Sequence, residues 1–517
     1  MPDAMKFYRK LWKLFGTGLL VLLMFAGLGY AQKRTTHQAP ASAPASVETP
    51  ASAQAPGGDA RPPGAPPSAG EDAGTVHQIT PQEAKELFRS VDEILKFASQ
   101  DTALPIHSQV KRRLSSRDEV VAYITKHMAE DEDAQRLKRS ELVLKKFGLL
   151  PRDFNLETFL IGLLREQVAG FYDPKTKTVN LLDWVDLEAQ RPVLAHELTH
   201  ALQDQGFGLE KWMKAGLSDL AEKKGAPTPE DIRSDEMTTA RQAVVEGQAM
   251  VVLVDYMLAP TGQSMKDSPQ IVEALKQGML VGTADSLQFR NAPLYLKEAL
   301  TFPYRYGLDF VGELLTRGGK EKAFASVFKD PPLSTRQIME PATYLSGERL
   351  QDLRLPDFAR VFKNYQRFDL GAFGEFDVAV WIDQFEGSGA SHRLYPHWRG
   401  GYYFAGKLKG DPAAPLGLLY VSRWSNAERA AEFAAIYARS LAKRYQRARE
   451  AIPGAGKTPI AIAELETLSG NHTWLTEEGP VVIQVHGDTV MVTESLDPAT
   501  TELLEHEMFA QPVVAGK

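Results

Sequence analysis

The chain has 517 residues, 43% of them apolar and 24% charged, a globular composition with enough length for two or three folded regions. Its 59 basic and 66 acidic side chains give a net charge of −7, so no global positive field exists to hold nucleic acid. With no cysteine, the chain has no disulfide, thiolate metal site, iron–sulfur cluster or cysteine nucleophile, and any metal must be held by His, Asp or Glu.

Four basic residues (Lys6, Arg9, Lys10, Lys13) precede an apolar run from Leu14 to Tyr30 and the small-x-small pattern Gly29-Tyr30-Ala31. This predicts a secretory signal cut after Ala31. A run of 17 residues also reaches the lower limit for spanning a bilayer, so an inner-membrane anchor through residues 14–30 is the alternative. Either reading places the remainder in the periplasm or outside the cell. Residues 32–78 are expected to be a disordered linker, because the Ala/Pro/Ser/Gly tract from Gln38 to Gly74 has too few large apolar side chains to offset chain entropy.

Order is expected to begin at Thr80-Pro81-Gln82-Glu83, a capping box with Pro at the first helical position, followed by Leu87, Phe88, Val91, Ile94 and Leu95 at helical spacing. Ser116 and Glu119 repeat the box. Further helices are predicted from about Ala134 to Gly148 and over Leu156–Gln167. The period then changes: Gly170-Phe171-Tyr172 and Thr178–Leu182 flank the turn Asp173-Pro174-Lys175-Thr176, a short β-hairpin. Two helices follow, from about Pro192 to Gln205 with Gly206 as the stop, and from about Glu236 to Met257. Beyond Phe362, strands are predicted at Tyr402–Leu408 and Leu416–Val421, then a helix capped by Ser425/Glu428, then a hairpin through Val481–Val485 and Val490–Thr493. The expected fold is therefore α+β, with a mainly helical region at 79–361 and a separate C-terminal α+β module at 362–517.

The sharpest chemical signal is His196-Glu197-Leu198-Thr199-His200 on a predicted helix. Residues at i and i+4 share a face, so both imidazoles can reach one metal, while Glu197, rotated by about 100°, can reach a metal-bound water. A hydrolytic zinc site needs a third protein ligand and an open fourth position. The longer signature that supplies a third histidine would need glycine at position 203 and histidine at 206, where Gln203 and Gly206 stand. Asp204 shares the histidines' face but lies about 6 Å further along the axis, which suits a partner of His200 better than a ligand. Glu246 is the stronger candidate, because a carboxylate inside Ala243-Val244-Val245-Glu246-Gly247-Gln248-Ala249-Met250-Val251 is costly to bury without a cation. A salt bridge from Glu246 to Arg241 is the alternative use of that carboxylate, and Asp255 an alternative ligand. Gly247 and Ala249 leave room for a neighbouring helix. His392 and His397 read as members of a polar loop rather than a second ligand cluster.

His-Glu-x-x-His on one helix with Glu on the next resembles the gluzincin-type zinc metallopeptidases. More closely, Gly170–Leu182, Leu194–Gln205, Glu246–Ala249 and Pro331-Pro332-Leu333-Ser334-Thr335-Arg336-Gln337-Ile338 resemble, in order, an uncharacterised family of exported bacterial proteins. The resemblance spans about Thr80 to Leu345. It implies a zincin-like core in which His196, His200 and Glu246 hold Zn²⁺ and Glu197 is the general base toward a protein or peptide substrate. The strand Val179–Leu182 would border the cleft, where an extended peptide could add as a further strand. Tyr304, Tyr306 and Tyr172 are the candidate donors to the developing oxyanion. Two positions depart from the pattern. Met250 stands where many gluzincins have an Asp that orients a histidine, and Glu340-Pro341 stands where this family usually has a His before the Pro. The competing expectation is a non-catalytic envelope protein with a structural or vestigial zinc site, whose C-terminal module binds a partner.

Overall fold

A computed structural model describes residues 78–120, 122, 131–166, 170–215, 226–282, 286–451 and 462–509. The leader or anchor expected at 1–31, and all of the expected linker but its last residue, lie outside the described residues. The protein is α+β, with a three-stranded sheet in its helical half and a seven-stranded sheet in its C-terminal half.

Thr80 and Glu83 close the expected capping box on helix α1 (Pro81–Thr102), whose buried stripe is Leu87, Val91, Ile94, Leu95 and Ala98. Ser116 and Glu119 close the second box, with N···O distances of 3.3 and 3.0 Å. Strand β1 (Lys111–Ser115) precedes it unannounced, because Lys-Arg-Arg-Leu-Ser has the charged composition of an exposed edge strand, not an alternating apolar one. Helices α2 (Asp131–Lys146) and α3 (Leu156–Glu166) lead to the hairpin of β2 (Phe171–Asp173) and β3 (Thr178–Leu182). The strand order is β1-β3-β2, with β3 parallel to β1 and antiparallel to β2. The expectation that an extended peptide adds to β3 is corrected: β3 is central and hydrogen-bonded on both sides, and both strands of the hairpin pack against the histidine helix.

That helix, α4 (Leu187–Phe207), starts five residues before the expected position. Asp186 caps it, accepting from the backbone N–H groups of Glu188 and Ala189, and Pro192 is tolerated inside it. It runs through Gly206 and ends at Gly208, whose φ of 63° is the left-handed cap that glycine takes without penalty. Helix α5 (Ser234–Leu258) is buried over most of its length and carries Glu246. Its long apolar stretch has the length and composition to cross a membrane, yet 72% of that window is buried inside the protein.

Helix α6 (Leu294–Lys320) crosses α5 at two facing glycines. A Cβ on Gly247 would overlap the carbonyl group of Gly307 and sit 2.8 Å from its Cα, while one on Gly307 would overlap the carbonyl oxygen of Ala243. The expected close approach at Gly247 is thus made by backbone against backbone, and it fixes the depth at which α6 presents Tyr304.

The C-terminal strands β4 (Tyr365–Ala372), β5 (Trp398–Leu408), β6 (Gly417–Trp424), β7 (Ala448–Glu450), β8 (Gly470–Thr476), β9 (Gly479–His486) and β10 (Thr489–Glu494) form one antiparallel sheet ordered β4-β5-β6-β10-β9-β8-β7. Helices α7 (Glu375–Glu386), α8 (Ala427–Arg444) and α9 (Pro498–Phe509) accompany it. This region, expected as a separate module, shares its apolar core with the helical half. Phe147, just past α2, stacks on Phe373 with centroids 4.5 Å apart and meets Tyr403 and Tyr420 edge-on. Trp381 of α7 donates to the Phe147 carbonyl at 3.0 Å, and Phe302 of α6 packs on Phe376. Single-sequence patterning could not show this, because Phe147 lies more than 200 residues from the sheet that buries it.

The Pro331–Ile338 stretch also joins the two regions. Thr335 donates its N–H and hydroxyl to Glu236 at the start of α5, at 3.0 and 2.9 Å. Arg336 reaches Glu375 of α7 at 2.7 Å as well as Glu340 and Glu348. Glu340, at the position where the resemblance would place a histidine, is therefore an ion-pair partner of Arg336.

Candidate metal centre

Helix α4 supplies His196, Glu197 and His200, and α5 supplies Glu246, because the two helices pack along the faces that carry them. The Nε2 atoms of His196 and His200 lie 3.1 Å apart. Oε2 of Glu246 is 3.2 Å from the first and 3.5 Å from the second. Four ligands held about 2.0–2.1 Å from a tetrahedral ion are spaced about 3.3 Å from one another, so these three atoms already sit at the separations of one tetrahedral face. The group could hold a metal ion, and it is the cluster of this kind among the described residues.

The proton arrangement agrees with the geometry. Nδ1 of His200 is 2.8 Å from Oε1 of Gln203, whose amide nitrogen donates to the Val245 carbonyl at 3.0 Å and to Gln248 Oε1 at 2.7 Å. Gln248 in turn donates to the Ala323 carbonyl at 2.6 Å. With its nitrogen committed to two acceptors, Gln203 must present its oxygen to His200, so Nδ1 carries the proton and Nε2 offers a lone pair to the cluster. Burial pushes the Glu246 carboxyl up, but when the imidazoles are protonated the His200 charge and the hydrogen bonds from His196 and His200 outweigh it and hold the pKa at about 2. With the imidazoles neutral, the same geometry sets an anionic oxygen against imidazole lone pairs in a dry interior, the chemistry that a divalent cation relieves.

Glu197 points to the hairpin side, where its Oε2 accepts the backbone N–H of Tyr172 at 2.8 Å. Strand β2 therefore positions the carboxylate through its main chain, while the Tyr172 hydroxyl is turned away and donates to Asp204 at 3.0 Å. Asp204 also accepts the N–H of Leu209. The expectation that Asp204 supports His200 is corrected: Gln203 holds that position, and Asp204 ties the end of α4 to the hairpin.

Tyr304 is brought in and Tyr306 is not. The Tyr304 ring lies nearly parallel to His196 with centroids 6.2 Å apart. Burial, then the charges of Glu246 and Glu197, raise its hydroxyl pKa well above the ordinary value, so it remains a proton donor. Tyr306, two residues on, faces Phe302 and the Arg305 guanidinium. Two residues advance a helix by about 200°, which sends one ring to the cluster and the other away.

Arg241, the alternative partner of Glu246, and Asp255, the alternative ligand, are both engaged elsewhere. Arg241 lies over the Trp212 ring and donates to the carbonyls of Trp212 and Ala215. Asp255 accepts the N–H of Met265, and burial followed by the charge of Asp101 lifts its pKa to about 7. His392 and His397 bond separately to the Ser388 carbonyl and the Ser425 hydroxyl, within a short helix and a 3-10 turn rather than the expected loop.

Sequence reasoning missed Gln203, Gln248 and the Tyr172 main chain. The two glutamines carried a usable signal, since each is an amide in an apolar helix, the same argument that selected Glu246. The Tyr172 contact carried none, because it is made by a backbone atom.

No protein family matches the sequence, and neither a characterised protein nor a solved structure matches the chain.

Proposed function

We propose that the protein is an exported zinc-dependent metallopeptidase with a zincin-like core. The observation that supports this reading best is the trio of donor atoms at tetrahedral spacing, with an intact glutamate one residue from the first histidine and held toward the hairpin by a main-chain hydrogen bond. His196, His200 and Glu246 would hold the ion, and zinc bound there would supply Lewis acidity and acidify bound water toward pH 7. Glu197 accepts a proton from the attacking water and delivers it to the leaving amine. Tyr304 donates a hydrogen bond to the oxygen that gains charge as the peptide carbonyl is attacked. The N-terminal segment delivers the protein to the envelope.

The test is metal content and peptide hydrolysis in the 32–517 protein. About one zinc per chain is expected, lost in His196→Ala and Glu246→Ala and kept in Glu197→Gln, with hydrolysis absent in all three. Absence of zinc from the parent protein after metal loading overturns the proposal.

One observation favours the second reading, a non-catalytic protein with a structural metal. His196, Glu197 and His200 are 0% exposed and Glu246 is 1% exposed, so the cluster is closed to a substrate in this conformation. A peptide hydroxamate that binds the zinc-loaded protein and is displaced by chelator favours the peptidase; zinc that stays bound but takes no exogenous ligand favours the structural site.

A further inference from the structure

Remote from the histidine cluster, a cleft of about 900 Å³ opens where the end of α2, the end of α8 and the β5–β6 connection meet. Its volume falls in the range of small-molecule sites. Six cationic side chains line it, Lys145, Lys146, Arg152, Lys407, Lys443 and Arg444, against one carboxylate, Glu478. Between them the walls are apolar, with Leu149, Leu294, Phe385 and Leu416 among the lining and Leu142 left 42% exposed.

The cations divide into two groups. Lys145 pairs with Glu141, Lys146 and Arg152 with Glu478, and Arg444 with Glu494. Lys407 and Lys443 have no carboxylate partner among the described residues; each ammonium meets only a main-chain carbonyl, that of Ala414 and of Phe385 respectively. Arg444, with its side chain 4% exposed, keeps one guanidinium nitrogen, Nη1, without a hydrogen-bond partner. Lys145, Lys146, Lys443 and Arg444 stand in the last turns of α2 and α8 and complement those helix ends. That role accounts for neither Lys407, on a strand, nor Arg152, in a loop, nor the open volume between them.

We propose that this cleft binds an amphipathic anion, a single apolar chain bearing a phosphate or carboxylate head. The head pairs with Lys407 and Lys443, the two lining cations that have no carboxylate partner among the described residues, and the chain lies on the leucine and phenylalanine walls. The proposal goes beyond the metal centre and does not depend on zinc.

The test is calorimetric titration of the 32–517 protein with decyl phosphate and with decanoate, below their micelle concentrations, and with inorganic phosphate. Saturable binding of at least one amphiphile is expected, at least tenfold tighter than inorganic phosphate and weakened by added salt. The double variant Lys407→Ala/Lys443→Ala should lose at least tenfold in affinity with an unchanged melting temperature. A preference for decyl phosphate assigns a phosphate head, and a preference for decanoate a carboxylate head. No saturable heat with either amphiphile overturns the proposal, as does a double variant that binds like the parent. Should the double variant fail to fold, Lys407→Gln alone must still weaken binding several-fold.

Discussion

Nδ1 of His200 lies 2.8 Å from Oε1 of Gln203, one turn further along the same helix, and the Gln203 amide is anchored in turn to Val245 and Gln248 on the neighbouring helix. The imidazole is therefore oriented by a neutral amide, where Met250 leaves no carboxylate to do it. Replacing Gln203 by Leu removes the acceptor and unties α4 from α5. Metal affinity, measured by competition with a fluorescent chelator, should fall about 10–100-fold. Gln203→Glu, which keeps an acceptor, should lose less.

The Gly247/Gly307 crossing leaves no space for a side chain. Gly247→Ala and Gly307→Ala must each push α6 away from α5, at a cost of about 1–3 kcal/mol or more. The shift also withdraws Tyr304. Chemical denaturation should show the loss of stability, and Gly206→Ala, where a Cβ meets nothing within 4 Å, should show none.

Tyr304 and Tyr306 separate the catalytic role from packing. Under the peptidase reading, Tyr304→Phe should retain zinc and lower kcat by about 10²–10³-fold, the effect of removing one oxyanion donor. Tyr306→Phe should leave kcat within a few-fold of the parent. Equal activity of the two variants would remove Tyr304 from the mechanism.

Glu236, at the start of α5, gives stability a pH dependence. Burial, then the nearby charge of Asp377, raises its pKa to about 8, with the Thr335 hydrogen bonds opposing. The folded state thus holds a proton that the unfolded chain releases near the ordinary carboxyl value of 4.5. This contribution is complete below 4.5 and is lost as pH rises through about 8, at up to about 1.4 kcal/mol per pH unit. Glu236→Gln should flatten the decline between pH 5 and 8 in urea melts. An unchanged slope would place the titration elsewhere.

The juxtaposition of His196, His200, Glu197 and Glu246 was legible in the sequence because each depends on local physics: i,i+4 spacing on a helix, and the cost of an unpaired carboxylate among valines and alanines. Both capping boxes and the β2–β3 hairpin were legible for the same reason, since they involve neighbours in the chain. Strand β1 was hidden by its charged edge composition, and the early start of α4 by Pro192, whose helix-breaking signal was overridden by the Asp186 cap.

Taken alone, the sequence determined an α+β chain without thiol chemistry, carrying two histidines one turn apart on one helix and a carboxylate in an apolar stretch of the next. Only the tertiary structure decided that Gln203 rather than Asp204 orients His200, that Tyr304 rather than Tyr306 faces the cluster, and that Phe147 binds the C-terminal sheet to the helical half. Those choices rest on how deeply two helices approach at a pair of glycines and on contacts between residues tens to hundreds of positions apart, which periodicity along one chain does not encode.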